Sequence, residues 1–577
     1  MYIRVKTTPN SPRRSVQIVE SFRVGDKVKQ KIVKHIGVAL DDKELEELKN
    51  LALSIKMKLE LENTLPLYTP EELDRQLDNA KRKIKEDKDI YSDDDYMVNI
   101  KDLIEEDRVV TGIHDVYGKL FDEMNLRSIF AYPSKHKHSI DIFKNIVLSR
   151  IAKPDSKRAT VQMLEDNFGI SLNLDSVYTM MDKITDKSIE KLNSLAYNET
   201  KKLFNDKIDV IYFDATTIYF ESFKEDSGED AIKKNGYSKD LKFNQPQVVL
   251  ALMVTKEGLP IGYEAFSGDT FDGHTLIPSL KILRDKYNVD NVVYVADSGM
   301  FNNNNLEELE SLEKHKFNYI VGARIKNQSS KIKEQILDMS NYKELNADIS
   351  VINITLDNGR KLVVTHSKKR ARKDKADRER GIKKLRDKLK GSKSVKTHLS
   401  NQGYKKYLQL KKVQTDDTET KCDISITLNE EKIKADSVWD GLKGLIVNKD
   451  SQLSNDEILT QYNNLWQVEE SFRITKHDLK IRPVYHWKPS RVKAHLAISF
   501  AALFLVRHLE HRVRLQHKKL SPEVVRKLLL NVQKSIVYDK TKKIKYAIPS
   551  KIKLDAKKIY KLMDISYSTT PYIIGKL

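Results

Sequence analysis

One cysteine, Cys422, is present in 577 residues. A single thiol excludes an intramolecular disulfide and any cysteine-based zinc site, and it fits a reducing cytoplasm. Long apolar runs are missing too. The longest, Leu496-Ala-Ile-Ser-Phe-Ala-Ala-Leu-Phe-Leu-Val506, is too short to span a bilayer and ends at Arg507-His-Leu-Glu, so it reads as a buried helix closing a core. No signal peptide is expected, because Met1-Tyr-Ile-Arg-Val-Lys has no apolar core behind its charges. His136-Lys-His138 reads as surface loop, and no histidine spacing supports zinc. Acidic residues are the minority, Asp+Glu 83 against Lys+Arg 103, a formal charge of +20. That balance asks for a polyanionic partner, nucleic acid before a membrane surface.

With 39% hydrophobic residues, the chain can bury several cores, about three or four domains by length. Residues 1–85 read as a small β/α domain: Tyr2-Ile-Arg-Val, Ser15-Val-Gln-Ile-Val and Lys29-Gln-Lys-Ile-Val are strand-like, ahead of a helix near Asp42 to Glu62. Residues 86–107 are an acidic linker, with Asp93 to Asp95 as solvated loop. Residues 108–204 are helical in pattern. There, Lys157-Arg158 and the segment from Leu174 suggest a helix-turn-helix reading duplex ends, against a plainer reading as helical packing.

The densest chemistry lies in Tyr462-Asn-Asn-Leu-Trp-Gln-Val-Glu469-Glu-Ser-Phe-Arg473-Ile-Thr-Lys476. At about 100° per residue with Tyr462 at zero, Glu469 falls near ~−20°, Arg473 near ~+20° and Lys476 near ~−40°, so one helix face carries all four. The flanking stripe Ile458, Leu465, Val468 and Phe472 predicts that Glu469 points inward and Glu470 toward water. Ser454-Asn-Asp-Glu457 reads as a capping box that starts the helix. On this segment alone a solvated amphipathic helix is the favoured reading, because i,i+4 and i,i+7 charge pairs are common. Partners elsewhere decide between the two.

Two aspartates end short apolar runs of the kind that form buried strands: Asp214 after Val210-Ile-Tyr-Phe, and Asp297 after Val292-Val-Tyr-Val-Ala. Taken singly, each could be a turn residue. Taken with Glu469, they give a hard, all-oxygen set suited to Mg²⁺ or Mn²⁺. Between them, Val248-Val-Leu-Ala-Leu-Met-Val and Leu259-Pro-Ile-Gly-Tyr-Glu-Ala-Phe flank a hairpin turn at Lys256-Glu-Gly258, and His274 to Tyr287 is helical in spacing.

Asp214-Ala-Thr-Thr, Gly268-Asp-Thr-Phe-Asp-Gly-His-Thr, Ala296-Asp297-Ser-Gly and the Tyr462–Lys476 segment together resemble the DDE transposases of bacterial insertion sequences. More narrowly they resemble the insertion sequence four superfamily, with its signature Tyr-x2-Arg-x3-Glu-x6-Lys. Tyr462, Glu469 and Lys476 match it, while Leu465 stands at the arginine position, as in a branch with Leu-Trp there. The resemblance covers residues 205 to 510 and implies an α/β, ribonuclease H-like core split into 205–324 and 451–515, followed by a C-terminal region 516–577.

It also implies two Mg²⁺ ions held by Asp214, Asp297 and Glu469, with Tyr462, Arg473 and Lys476 on DNA phosphates. The implied activity is cut-and-paste transposition: cleavage at terminal inverted repeats, with a hairpin as one route, then joining to target DNA in a homodimeric or larger synaptic complex. The implied location is the bacterial cytoplasm, on the nucleoid, with no membrane. A nuclease or resolvase without strand joining, and an inactive DNA-binding derivative, are the alternatives. A dehalogenase-like phosphatase is excluded because position 216 is threonine, where that chemistry needs a second aspartate.

The aspartates are 83 residues apart, but 172 separate Asp297 from Glu469. The longer gap predicts a β-rich insertion domain over 325–450. Within it Lys368 to Lys393 carries 14 Lys/Arg against 4 Asp/Glu, half the chain's net charge. It reads either as a solvated helix or as a phosphate-contacting arm.

Overall fold

The computed structural model describes residues 2–7, 14–24, 27–39, 44–46, 48–49, 51–53, 55–56, 91–205, 207–228, 230–238, 242, 244–287, 293–297, 306–308, 310, 318–391, 403–413, 423–516 and 520–576. Cys422, Lys393, residues 86–90 of the acidic tract and the Ser298-Gly299 turn lie outside them. The chain divides into two units, Met1–Leu103 with Lys540–Ile544, and Ile104–Asp539 with Lys545–Leu577.

In the smaller unit β1 (Tyr2–Thr7), β2 (Arg14–Val24) and β3 (Lys27–Ala39) form an antiparallel meander. Val16, Ile18 and Ile36 bury against Leu48, Ala52 and Ile55, whose spacing puts them on one helical face. Asp93–Tyr96, expected as loop, is a one-turn helix closed by Asp95 accepting from the Ser92 backbone at 2.9 Å.

The larger unit begins within β4 (Leu103–Val110), whose first residues the sequence assigned to the linker. Helices α1 (Gly112–Glu123), α2 (Lys137–Ala152), α3 (Lys157–Phe168), α4 (Leu174–Asp182) and α5 (Asp186–Lys202) follow. Three start on side-chain caps, Ser156, Asn173 and Thr185, each accepting a first-turn N–H. Their apolar faces join the same hydrophobic cluster as the central sheet, and Lys157, suggested for duplex reading, is only 4% exposed. Packing buries that side chain, while its neighbour Arg158 stays exposed.

The central sheet is built from β5 (Val210–Tyr219), β6 (Gln247–Thr255), β7 (Pro260–Ser267), then α6 (Leu276–Tyr287), β8 (Val293–Ala296) and β9 (Asn318–Ala323). Next come β10 (Lys343–Glu344), β11 (Ile349–Thr355), β12 (Lys361–Ser367), the basic helix α7 (Lys368–Gly391), a ribbon of β13 (Leu408–Val413) and β14 (Asp423–Leu428), and β15 (Leu442–Val447). The order is β10-β11-β12-β15-β9-β8-β5-β6-β7. β5, β8 and β9 run parallel, and the remaining neighbours are antiparallel.

Residues 325–450, expected as a β-rich insertion domain, share the central sheet through most of their described strands. Four of their strands extend the central sheet, because β15 pairs with β9 and covers what would otherwise be an open strand edge. Among the described residues of this stretch, β13 and β14 form a separate pair.

Helices α8 (Asn455–Asn463) and α9 (Trp466–Arg473) lead to α10 (Pro489–Gln516). α10 is the one helix among the described residues long and apolar enough to cross a membrane, and it is buried in the protein. α11 (Pro522–Leu530), β16 (Gln533–Asp539), β17 (Ile544–Pro549), α12 (Leu554–Leu562) and β18 (Tyr572–Lys576) complete the chain; β4 pairs into the order β18-β17-β16-β4.

Candidate active site

Strand parity sets the site. Val210, Tyr212 and Ile218 of β5 and Val293 and Val295 of β8 belong to the cluster holding Val468 and Phe472 of α9; Ile211, Phe213, Ala215, Tyr294 and Ala296 belong to the cluster on the opposite face. With a side-chain period of two, Asp214, Thr216 and Asp297 fall on the face that α9 covers. β5 and β8 are parallel with Tyr212 opposite Val295, and the same 83-residue offset sets Asp214 opposite Asp297 one step past the end of β8. Asp214 is the one break in a run of eight otherwise buried residues, Val210 to Ile218, consistent with the cost of burying a carboxylate.

The glutamate segment is not one continuous helix. α8 opens on the expected capping box, Ser454 Oγ accepting from Glu457 N at 3.2 Å and Ser454 N donating to Glu457 Oε2 at 2.8 Å. It ends at Asn463; α9 restarts at Trp466, and residues Ile474–Asp478 form a π turn. The stripe Ile458, Leu465, Val468 and Phe472 is buried.

The two glutamates depart from the helical projection. Glu469 is exposed, whereas Glu470 is half-buried and accepts both Nε and Nη2 of Arg473, at 2.7 and 2.8 Å. Arg473 also lies 3.5 Å from Asp478, so its fork is engaged by acids of its own segment rather than turned toward Glu469. The break before Trp466 and the wider π turn shift every angle computed for an unbroken helix.

Tyr462 is buried, and its hydroxyl donates to Asp297 Oδ1 at 3.2 Å. Burial first, then the Asp297 and Glu469 charges, push its phenol well above the usual range, which keeps it protonated and a donor. Lys476 donates to the Thr216 hydroxyl, two residues along β5 from Asp214. A cation that sequence reasoning missed completes the group. Lys443 of β15 places its ammonium 4.2 Å from the centre of the Tyr462 ring. Burial and Arg370 pull Lys443 down, while Asp297 and Glu469 oppose them, so both carboxylates act on it. Lys443 sits inside Gly-Leu-Lys-Gly-Leu-Ile-Val, and only the pairing of β15 with β9 could have pointed to it.

Among the described residues, no three His, Cys, Asp or Glu side chains stand together at metal-binding spacing. The donor set still fits a hard divalent cation in kind: two carboxylates in cross-strand register and a third close enough to act on the same tyrosine and lysine.

The family model described as the transposase DDE domain matches residues 205–505, just over half the chain. The chain is a DDE transposase. A second model, the IS1634 family transposase N-terminal domain, matches residues 3–63, the region of the small meander unit. That placement puts this transposase among those of bacterial insertion sequences. No curated protein matches the chain. One solved structure, "Mos1 transposase paired-end complex with left transposon end", aligns at 13% identity over 29% of this chain and 53% of that one, with a TM-score of 0.14. A likeness that slight supports no structural argument.

Proposed function

We propose that this transposase cuts DNA at the ends of its own element and joins the freed 3′ ends to target DNA, using Asp214, Asp297 and Glu469 as its metal-holding carboxylates. The observation that carries the reading is the register of β5 and β8: Tyr212 opposes Val295, and the same offset continued along the strands brings Asp214 level with Asp297, which supports a shared role for the two. The sheet order β7-β6-β5-β8-β9, three antiparallel strands and then two parallel to the first, supports a ribonuclease H-like core.

Mg²⁺ or Mn²⁺ held by the three carboxylates, two ions per site, would supply activation of water or a 3′-hydroxyl and stabilisation of the leaving oxygen. Tyr462 fixes the rotamer of Asp297 through its hydroxyl. Lys476 and Lys443 bring point charges to phosphate oxygens from two sides of the carboxylates. Arg473 would reach a phosphate by exchanging Glu470 and Asp478 for it. α7 acts as a phosphate-contacting arm: Arg370, in its first turn, influences both Lys443 and Tyr462, so the basic run starts at the site. Cutting both ends of one element calls for two or more copies in a synaptic complex.

The test is strand cleavage and joining on oligonucleotides carrying the inverted repeats that flank the coding region. Cleavage and joining with Mg²⁺, abolished by EDTA, are expected. Failure to cut such ends, or cutting without joining, would contradict the proposal.

A further inference from the structure

Past the carboxylates, β5 ends among exposed rings. Tyr237 is 76% exposed, Tyr485 59% and Trp487 72%. They are brought to one place by backbone contacts: Phe220 bridges Val484, Val484 N donates to Tyr219 O at 3.2 Å, and Gln247, opposite Tyr219 on β6, donates from its side chain to Tyr237 O at 2.9 Å. Cations gather at the same end of the strand, the Lys233 ammonium 6.0 Å from the centre of the Trp487 ring and two more on Tyr219. The Arg482 guanidinium lies 5.4 Å and the Lys242 ammonium 5.6 Å from the centre of the Tyr219 ring.

Large apolar side chains left in water beside cations mark a binding surface. The charge selects a polyanion over an ordinary protein partner, and the rings select its form. In a duplex the base faces are stacked on one another; only unpaired bases offer a face to a tyrosine or tryptophan. From Asp214 to Tyr219 the strand rises roughly 16 Å, or about five base steps, and Lys476 lies between, at Thr216.

We infer that Tyr485, Trp487 and Tyr237, with Arg482 and Lys242, form a stacking platform for unpaired nucleotides of the DNA strand beside the cut. The inference rests on the transposase reading above and names the form of DNA that the site takes.

Fluorescence anisotropy with a labelled blunt duplex, and with the same duplex carrying a single-stranded extension of about five nucleotides, tests it on the full chain. The extended duplex is expected to bind about tenfold tighter. The double variant Tyr485→Ala, Trp487→Ala brings the ratio of the two affinities to about one, while Trp487→Phe, which keeps a stacking ring, preserves it. Both residues are exposed, so matched thermal melts are expected to show an intact fold. Equal affinities in the wild type, or a ratio untouched in the double variant, overturn the platform alone. Absence of binding to either duplex overturns the transposase reading with it.

Discussion

The phenol of Tyr462 and the carboxylate of Asp297, 165 residues apart in sequence, meet at 3.2 Å across the face of the central sheet. That contact ties α8, the helix just before the one that carries Glu469, to the end of β8 through a hydrogen bond to a charged group. Such bonds are worth about 1.5–3 kcal/mol. Tyr462→Phe keeps the buried ring and removes the bond; turnover in strand cleavage is expected to fall about tenfold or more. Asp297 is exposed, so water replaces the lost donor in the folded state and the melting temperature should move little. Unchanged turnover would dismiss Tyr462 as a positioning residue.

Lys443 answers a different question. Its ammonium is under the influence of both Asp297 and Glu469 in the free protein, so a divalent cation entering there meets a like charge. Lys443→Met is expected to strengthen Mg²⁺ binding measured calorimetrically without DNA, by several-fold, and to weaken cleavage. Weaker Mg²⁺ binding in the variant would show that the lysine does not compete for the carboxylates.

The hairpin between β6 and β7 depends on one buried arginine. Arg507, 3% exposed, donates to Gly258 O at 2.8 Å, to Gln467 Oε1 at 3.1 Å and to Glu510 at 2.6 Å. A Cβ on Gly258, already at φ 81°, would meet Arg507 at 1.8 Å and Gln467 at 2.5 Å. Gly258→Ala is therefore expected to lower stability by several kcal/mol, with about 1–3 from backbone strain alone and the rest from displacing Arg507 off Glu510. Chemical denaturation measures it; a loss under about 1 kcal/mol would show that the hairpin can relax.

Acid should loosen the core. Burial holds His508 near 3 and His511 near 4, both below the ordinary value of 6.5, and His495 well below it. The unfolded chain takes up these protons first. Their contribution is thus complete above about pH 6.5 and is lost as pH falls toward 3, at about 1.4 kcal/mol per pH unit for each histidine. Melting temperatures measured from pH 7 down to pH 5 should fall, and His508→Gln should flatten the slope. A pH-independent melt would contradict this.

The strands were legible in the sequence because buried parallel strands read as continuous apolar runs, and β8 does stop at Ala296, just before Asp297. Asp214, read as a strand end, lies mid-strand instead: β5 runs on to Tyr219, with burial resuming at Ala215. The direction of Glu469 was not legible. An unbroken helix was projected past Asn463, where α8 ends, and through a π turn, whose wider pitch rotates Lys476 relative to Glu469. Strand partnership over 325–450 was equally hidden: β11 and β12 look like any hairpin, and nothing local tells that β15 will pair with β9. Lys443 and Lys157 show the same limit from opposite sides, one cation delivered to the site by sheet pairing and one removed from the surface by helix packing.

The central claim is that Asp214, Asp297 and Glu469 act together on divalent cations. Its most direct measurement is Mg²⁺-dependent strand cleavage by Asp214→Asn, Asp297→Asn and Glu469→Gln, each with DNA binding measured in parallel. Every variant is expected to bind DNA and to lose cleavage by about a hundredfold or more. Cleavage by Glu469→Gln at the wild-type rate would contradict the account.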